Sequence, residues 1–435
     1  MKTFIPPAIF FIILLVYFAA CKDEAHPDFP DVEFLSPAPG ANYKIYDTIG
    51  IQIRVIASAA AADLSLALVN DQDINVLPSL TSQNLEPGKT YRYQYPVSLK
   101  TLSTGNYQLR AEATAGGVKG KQYRTIYIIG LQKMLEEVWL VQQSQPGMMR
   151  VLSGSPGNGF AEIFSYPGIY GGSAISALNE KFFLGASFQG DLGAFDTDTH
   201  LLNWEIQGIQ NPQQPYFTFV DYDDNRLYAG IFEGQVRGWN LDGQPAYATE
   251  QNIATKPVRM FPFREYLIIF SRQKSNETIR WLEIYFLNNG NLHVKTTLDF
   301  EPLVFAEAEA NRLLMLGNDA QGYASARLLD PSDGHIGNPY QPFELPEKEM
   351  RSAAAINSQN LLFSCLDGIY RYEYQHASAR IAEIGNISVL KFEEVNQLIW
   401  ASDGSTVFTI APDGQILQQT SIGPGIENLH FLYNK

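Results

Sequence analysis

Leu227-Tyr228-Ala229-Gly230 opens a pattern that ends at Asp242-Gly243. It runs as an apolar strand, a short gap with glycine, a second strand, and a turn made of residues that tolerate reversed backbone. The same pattern begins again at Val138-Trp139-Leu140-Val141, Phe182-Phe183-Leu184-Gly185 and Leu267-Ile268-Ile269-Phe270. Three more copies begin at Leu313-Leu314-Met315-Leu316, Leu361-Leu362-Phe363-Ser364 and Leu398-Ile399-Trp400-Ala401. The starts lie 44, 45, 40, 46, 48 and 37 residues apart.

Each copy after the first is preceded by another strand-like run, at 173–178, 216–222, 258–263, 303–308, 352–356 and 388–392. Turn residues recur where a last strand must follow: Asp196-Thr197-Asp198, Asn288-Asn289-Gly290, Asp333-Gly334 and Asp413-Gly414. Four strands per copy, repeated at this spacing with no long amphipathic helix, is the period of a propeller blade. The first copy lacks its own innermost strand. Glu427-Asn428-Leu429-His430-Phe431-Leu432-Tyr433 at the chain's end is an orphan strand of the right type. The sequence therefore predicts a seven-bladed β-propeller over 131–435, closed by pairing of 427–433 with 138–141, which leaves only short, protected edges.

Working back from the repeat, residues 31–130 hold seven candidate strands at 32–35, 48–57, 64–69, 74–80, 91–99, 106–114 and 122–129. Ile49, Ile51, Ile53 and Val55 alternate with Gly50, Gln52 and Arg54, a period of two with one buried face. Ser36-Pro37-Ala38-Pro39-Gly40, Asn70-Asp71, Pro87-Gly88 and Gly116-Gly117 supply turns. So many short strands in so few residues imply a β-sandwich. The fold class is thus all-β, a sandwich followed by a propeller.

At the start, Lys2 precedes an uncharged apolar run, 9–20, too short to span a bilayer and suited to a signal-peptide core. Residues 1–20 read as that signal and 21–30 as a tether. The chain carries 31 Lys and Arg against 46 Asp and Glu, for a net charge of −15. Such a balance argues against a nucleic-acid partner, which needs clustered basic residues. Of the two cysteines, Cys365 sits in an apolar run and reads as a small buried hydrophobe.

Several of these stretches resemble known families. Ala19-Ala20-Cys21 resembles the bacterial lipobox, with Phe18 departing from the usual leucine. The resemblance implies lipidation at Cys21 and an N-terminal lipid anchor in the membrane. Lys22-Asp23-Glu24 is similar to the surface-export signal of Bacteroidetes lipoproteins and implies display at the outer membrane, facing the cell exterior. Gly105-Asn106-Tyr107-Gln108-Leu109 resembles the tyrosine-corner strand of immunoglobulin-like and polycystic-kidney-type (PKD-like) domains, although the Cys…Trp…Cys signature of antibody domains is absent. The repeat is similar to the WD40-like and quinoprotein-like propellers, without their diagnostic blade motifs. The whole chain resembles surface lipoproteins that pair an immunoglobulin-like domain with a propeller.

Motifs for chemistry are few. Asp221-Tyr222-Asp223-Asp224-Asn225 spaces its acids as calcium loops do but lacks the central glycine and distal glutamate, so it reads as a hairpin turn. Ser402-Asp403-Gly404-Ser405-Thr406 also reads as a hairpin. No metal-ligand cluster and no cofactor motif stands out, and no catalytic residue is assigned. The expected function is a non-catalytic binding or assembly module whose propeller face contacts glycan, peptide or a partner membrane protein. The alternative is a lyase or glycoside hydrolase with its site at the central channel. The loops assigned to one face carry Tyr170, Tyr216, Phe232, Arg272, Arg351 and Asp367 as the candidate ligand residues, together with Tyr166, Phe188, Lys274 and Lys348. Aromatics beside arginine suit stacking on sugars and bonding to peptide backbone.

Overall fold

A computed structural model describes residues 30–434, except 57–61, 156–157, 210–212, 224–225, 309–310 and 338–344. Cys21 and Lys22-Asp23-Glu24 therefore lie outside the described residues. The chain divides into two compact units at Gln132/Lys133.

The first unit holds two sheets. One joins β1 (Asp31–Ser36), β3 (Thr48–Ile56) and β6 (Thr90–Pro96). The other has the order β2-β8-β7-β4-β5, with β2 at Ala41–Lys44, β4 at Ala62–Val69, β5 at Leu80–Leu85, β7 at Gly105–Ala115 and β8 at Val118–Ile129. Ile49, Ile51, Ile53 and Val55 share one core with Leu64, Leu66, Leu109 and Ile126. Alternation in β3 thus buries one face against the second sheet. β2 runs parallel to β8, while the other pairs are antiparallel. The Tyr107 hydroxyl donates to the Ser103 carbonyl, 3.1 Å away and four residues upstream.

One expected strand is absent. Residues 74–79 form a turn and loop, and the strand begins at Leu80. The Asn70 side chain accepts from the backbone N–H of Gln72 and Ile74, which bends the chain there. Pro78 then removes a donor, and its carbonyl accepts from the Tyr95 hydroxyl at 2.8 Å.

The second unit contains, among the described residues, seven four-stranded antiparallel sheets. Sheet one is β11 (Phe160–Pro167), β10 (Met148–Gly154), β9 (Leu135–Gln145) and β36 (Ile426–Tyr433). Sheets two to seven follow in chain order and begin with β12 (Ile169–Ser176), β16 (Phe217–Asp223), β20 (Thr255–Phe263), β24 (Glu301–Glu307), β28 (Ser352–Ala355) and β32 (Val389–Glu393). These first strands neighbour one another in a cycle. β36 meets both β12 and β32, β12 meets β16, β16 meets β20, and β28 meets β24 and β32. β20 reaches β24 through stacked Phe261 and Phe305, 5.4 Å between centroids. The unit is a β-propeller.

The strands quoted from the repeat are the second strands of the sheets. Both their faces are covered by neighbouring sheets, so every residue of Val138-Trp139-Leu140-Val141 is fully buried and the run is continuously apolar. The outermost strands face water on one side. β35 (Ile416–Ser421) is mostly polar and exposed.

β36 pairs with β9, as expected. Asn428, Leu429, His430 and Phe431 pair with Val141, Leu140, Trp139 and Val138. Both of its faces are packed. Leu429 and Phe431 lie with Trp400, Val389 and Val407 of sheet seven. Leu432 packs with Phe182 and Leu184 of sheet two, and the His430 ring meets Phe182 edge-on at 5.5 Å.

Candidate functional site

The first strands surround a central channel. Five of them carry a β-bulge within their first four residues: at Gly171 in β12, Thr218 in β16, Val258 in β20, Leu303 in β24 and Glu427 in β36. β28 and β32 carry none. A bulge places two residues opposite one and re-aims side chains, so this level of the ring presents groups that strict alternation would hide. The channel holds two connected chambers of about 390 and 340 Å³. The upper one, at the end where the first strands begin, is lined by Tyr170, Ser173, Ser352, Ser388, Glu427 and Asn428 among others. The lower one is lined by Asp221, Phe261, Leu303 and Phe305 among others. Arg259 and Lys391 border both.

Close approach of backbones narrows the upper chamber. Gly172 of β12 has φ +149°, and a Cβ there would lie 2.3 Å from the backbone nitrogen of Val220 in β16. Only glycine lets the two strands meet at that distance.

A hydrogen-bonded cluster joins the closing strand to sheet two. Ser173 Oγ shares hydrogen bonds with His430 Nε2 at 2.8 Å and with the Tyr170 hydroxyl at 2.9 Å. Asn428 Nδ2 donates to Tyr170 at 3.0 Å and to Ser173 at 3.3 Å. Burial pushes the His430 imidazole down to about 3, with Lys391 adding to the effect, so the ring is neutral. Burial raises the Tyr170 phenol to about 12. A serine and histidine in contact suggest nucleophile and base. Here, however, the serine is held by three partners, the imidazole is too weakly basic, and among the described residues no carboxylate orients it. The cluster is a seam lock.

The charged groups of the channel are Arg259, Lys391, Asp221 and Glu427. Burial lowers Lys391, and nearby Arg259 lowers it further while Asp221 opposes. Burial raises Asp221 to about 6, and it raises Glu427 as well. Arg259 and Asp221 keep a water-accessible surface because a chamber stands in front of them, yet protein surrounds them. Arg259 Nη1 donates to the Leu303 carbonyl at 2.7 Å.

Of the six residues expected at the ligand face, only Tyr170 lines the channel. It lies in β12 rather than in a loop. Tyr216 precedes β16; its ring packs edge-on against Phe217, and its hydroxyl accepts from Arg237 at 3.4 Å. Phe232 lies under the Lys274 ammonium, 4.9 Å from its centroid. Arg272 belongs to β21 (Tyr266–Gln273) and pairs with Glu301 and Glu277. It borders a separate cavity of about 330 Å³ with Phe188 and Lys256. Arg351 donates to Asn386 at 2.9 Å. Asp367 sits in a turn, where the Lys348 ammonium, 2.6 Å away, holds its carboxyl below the usual range. The expectation of loop positions is corrected for Tyr166, Phe188 and Arg272 too, all of which are strand residues. Tyr166 is buried, with its hydroxyl on Glu205 at 2.5 Å. Strand ends reach further toward the channel than the run of apolar residues reveals. The structure thus distributes the six among separate local contacts.

Of the turn expected at 221–225, Asp221–Asp223 belong to β16, which pairs with β17 (Arg226–Ile231), and Asp224 and Asn225 lie outside the described residues. Asp221 itself faces the channel. Among the described residues no group of three acidic, histidine or cysteine side chains could hold a metal ion. Asp403 forms the expected hairpin, its carboxylate accepting from the backbone of Ser405 and Thr406 at 2.8 Å.

The sequence reading missed Arg259, Lys391, Ser173, Glu427 and Asn428 as channel-wall residues. A signal existed for two of them. Arg259 and Lys391 are the single charged residues of the strand-like runs 258–263 and 388–392, where a side chain must face either a sheet or the channel.

No family model matches the chain, and no curated protein matches it. Among solved structures, BamB from Moraxella catarrhalis is 11% identical, covering 68% of this chain and 92% of its own, with a TM-score of 0.43. The Swd1 β-propeller domain from Myceliophteria thermophila is 11% identical, covering 60% and 89%, at 0.44. The WD40 β-propeller domain of Doa1 is 14% identical, covering 66% and 88%, at 0.43. These likenesses carry nothing about what this chain binds.

Proposed function

We propose that the chain is a lipid-anchored, surface-displayed binding or assembly module, joined to the outer membrane through Cys21 and exported under Lys22-Asp23-Glu24. An immunoglobulin-like domain would follow the tether, and a seven-bladed propeller would carry the recognition face. The immunoglobulin-like reading is supported by the sheet orders β1-β3-β6 and β2-β8-β7-β4-β5 and by the Tyr107 bond to Ser103. The observation that carries the binding role is the upper chamber of about 390 Å³, open at the ring of bulges and lined by hydroxyl, amide and charged groups. Glycan, peptide or a partner protein segment fits such a lining.

Three experiments test this. Cys21→Ser should release the protein from the membrane fraction, and replacing Lys22, Asp23 and Glu24 with alanine should abolish protease shaving on intact cells. On glycan and peptide arrays, the labelled protein should bind a defined set, and Ser388→Trp at the chamber mouth should remove that binding. Array binding that survives the plug would defeat the assignment to the channel.

A further inference from the structure

We propose that the upper chamber holds a carboxylate, gripped by Arg259 and Lys391, on a ligand whose neutral body extends toward Tyr170 and Ser388. This deepens the binding-module reading and rests on it.

The two cations come from different sheets, β20 and β32, and meet at the boundary of both chambers. The bulge at Val258 turns Arg259 inward. Neither cation forms an ion pair with a described residue. A lysine enclosed by protein and facing a guanidinium is a costly arrangement, since each charge has lost water and repels the other. In a folding core the usual solution is a carboxylate in contact, and the channel does not supply one. Glu427 lines the upper chamber and Asp221 the lower, but neither comes within ion-pair distance of Arg259 or Lys391. The chamber therefore favours an anion.

A single negative charge fits better than two. The planar guanidinium fork matches a carboxylate, and a dianionic phosphate would also confront Asp221 and Glu427. The remaining lining, Tyr170, Ser352, Ser388 and Asn428, is neutral and polar. That combination suits a uronic-acid sugar or the C-terminal carboxylate of a peptide, two sources of the same chemistry.

The detergent-solubilised protein is titrated calorimetrically with galacturonate against methyl galactoside, with acetyl-Gly-Gly against its amide, and with inorganic phosphate. One acid should bind about tenfold or more tighter than its neutral mate, which names the source. Lys391→Met and Arg259→Gln should each abolish that preference, while Lys391→Arg keeps it; melting curves confirm that each variant folds. Equal binding of acid and neutral mates overturns the carboxylate and leaves the binding module standing. Tighter binding of phosphate, a preference that survives both neutral variants, or no binding by any probe also overturns it. The array experiment judges the broader reading separately.

Discussion

Deleting Ile426–Tyr433 should open the propeller, and the size of the loss follows from the contacts of that strand. Ile426, Leu429 and Leu432 are nearly fully buried, and at about 1.5–3 kcal/mol each they contribute roughly 5–9 kcal/mol. The lost bonds of His430 and Asn428 to Ser173 add to this, because Ser173 is left buried with fewer partners. The total is comparable to the stability of a whole domain, about 5–15 kcal/mol. The deletion also exposes the edge of β9 together with Trp400 and Phe182. The assay is thermal and urea unfolding of the intact and truncated proteins, followed by near-ultraviolet dichroism and light scattering. The truncated chain should lose its propeller transition or aggregate, and a synthetic peptide of residues 425–435 should restore part of it. An unchanged propeller transition after deletion would refute the claim that this strand latches the ring. A graded version is Leu429→Ala, which removes a side chain packed among Val138, Leu140 and Trp400 and should cost about 2–5 kcal/mol.

Three further outcomes are expected. Replacing His430 with asparagine should flatten the acid side of the stability curve. The folded imidazole, near 3, lies below its ordinary value of 6.5, so its contribution is full above pH 6.5 and fades as pH falls toward 3. Wild type should lose about 2 kcal/mol more than the variant between pH 7 and 5, measured by urea titration; parallel curves would show that the ring is not buried neutral. Asp221→Asn should act in the opposite sense, because a carboxyl raised to about 6 weakens the fold as pH climbs from 3.8 through 6, and removing it should raise stability at pH 7. Gly172→Ala should cost about 1–3 kcal/mol in the same assay, since its Cβ would meet the β16 backbone; a neutral substitution would show that the strands are not so close.

The parts of this fold that could be read from the sequence are those where burial imposes composition. Val138–Val141 and its counterparts are covered on both sides, so they must be apolar, and their spacing gave the repeat. The closing strand was legible because it fits no other place. β2 and β5 were missed because they are edge strands; Ala41–Lys44 and Leu80–Leu85 expose alternate residues and need little hydrophobicity. The channel was harder still. A bulge has no composition of its own, so nothing in Pro257-Val258-Arg259 announces that the register shifts there and turns the guanidinium inward. Loop aromatics such as Tyr216 and Phe232 promised a face, but their rings are already engaged by Arg237, Phe217 and Lys274.

Amide hydrogen exchange on the full protein, with and without the tightest-binding array ligand, tests the recognition claim most directly. Protection should concentrate in residues 170–173, 219–220, 258–259, 352–353, 388–391 and 427–428, the stretches that line the upper chamber. Protection confined to the outermost strands or to the first unit, with those six stretches unchanged, would contradict it.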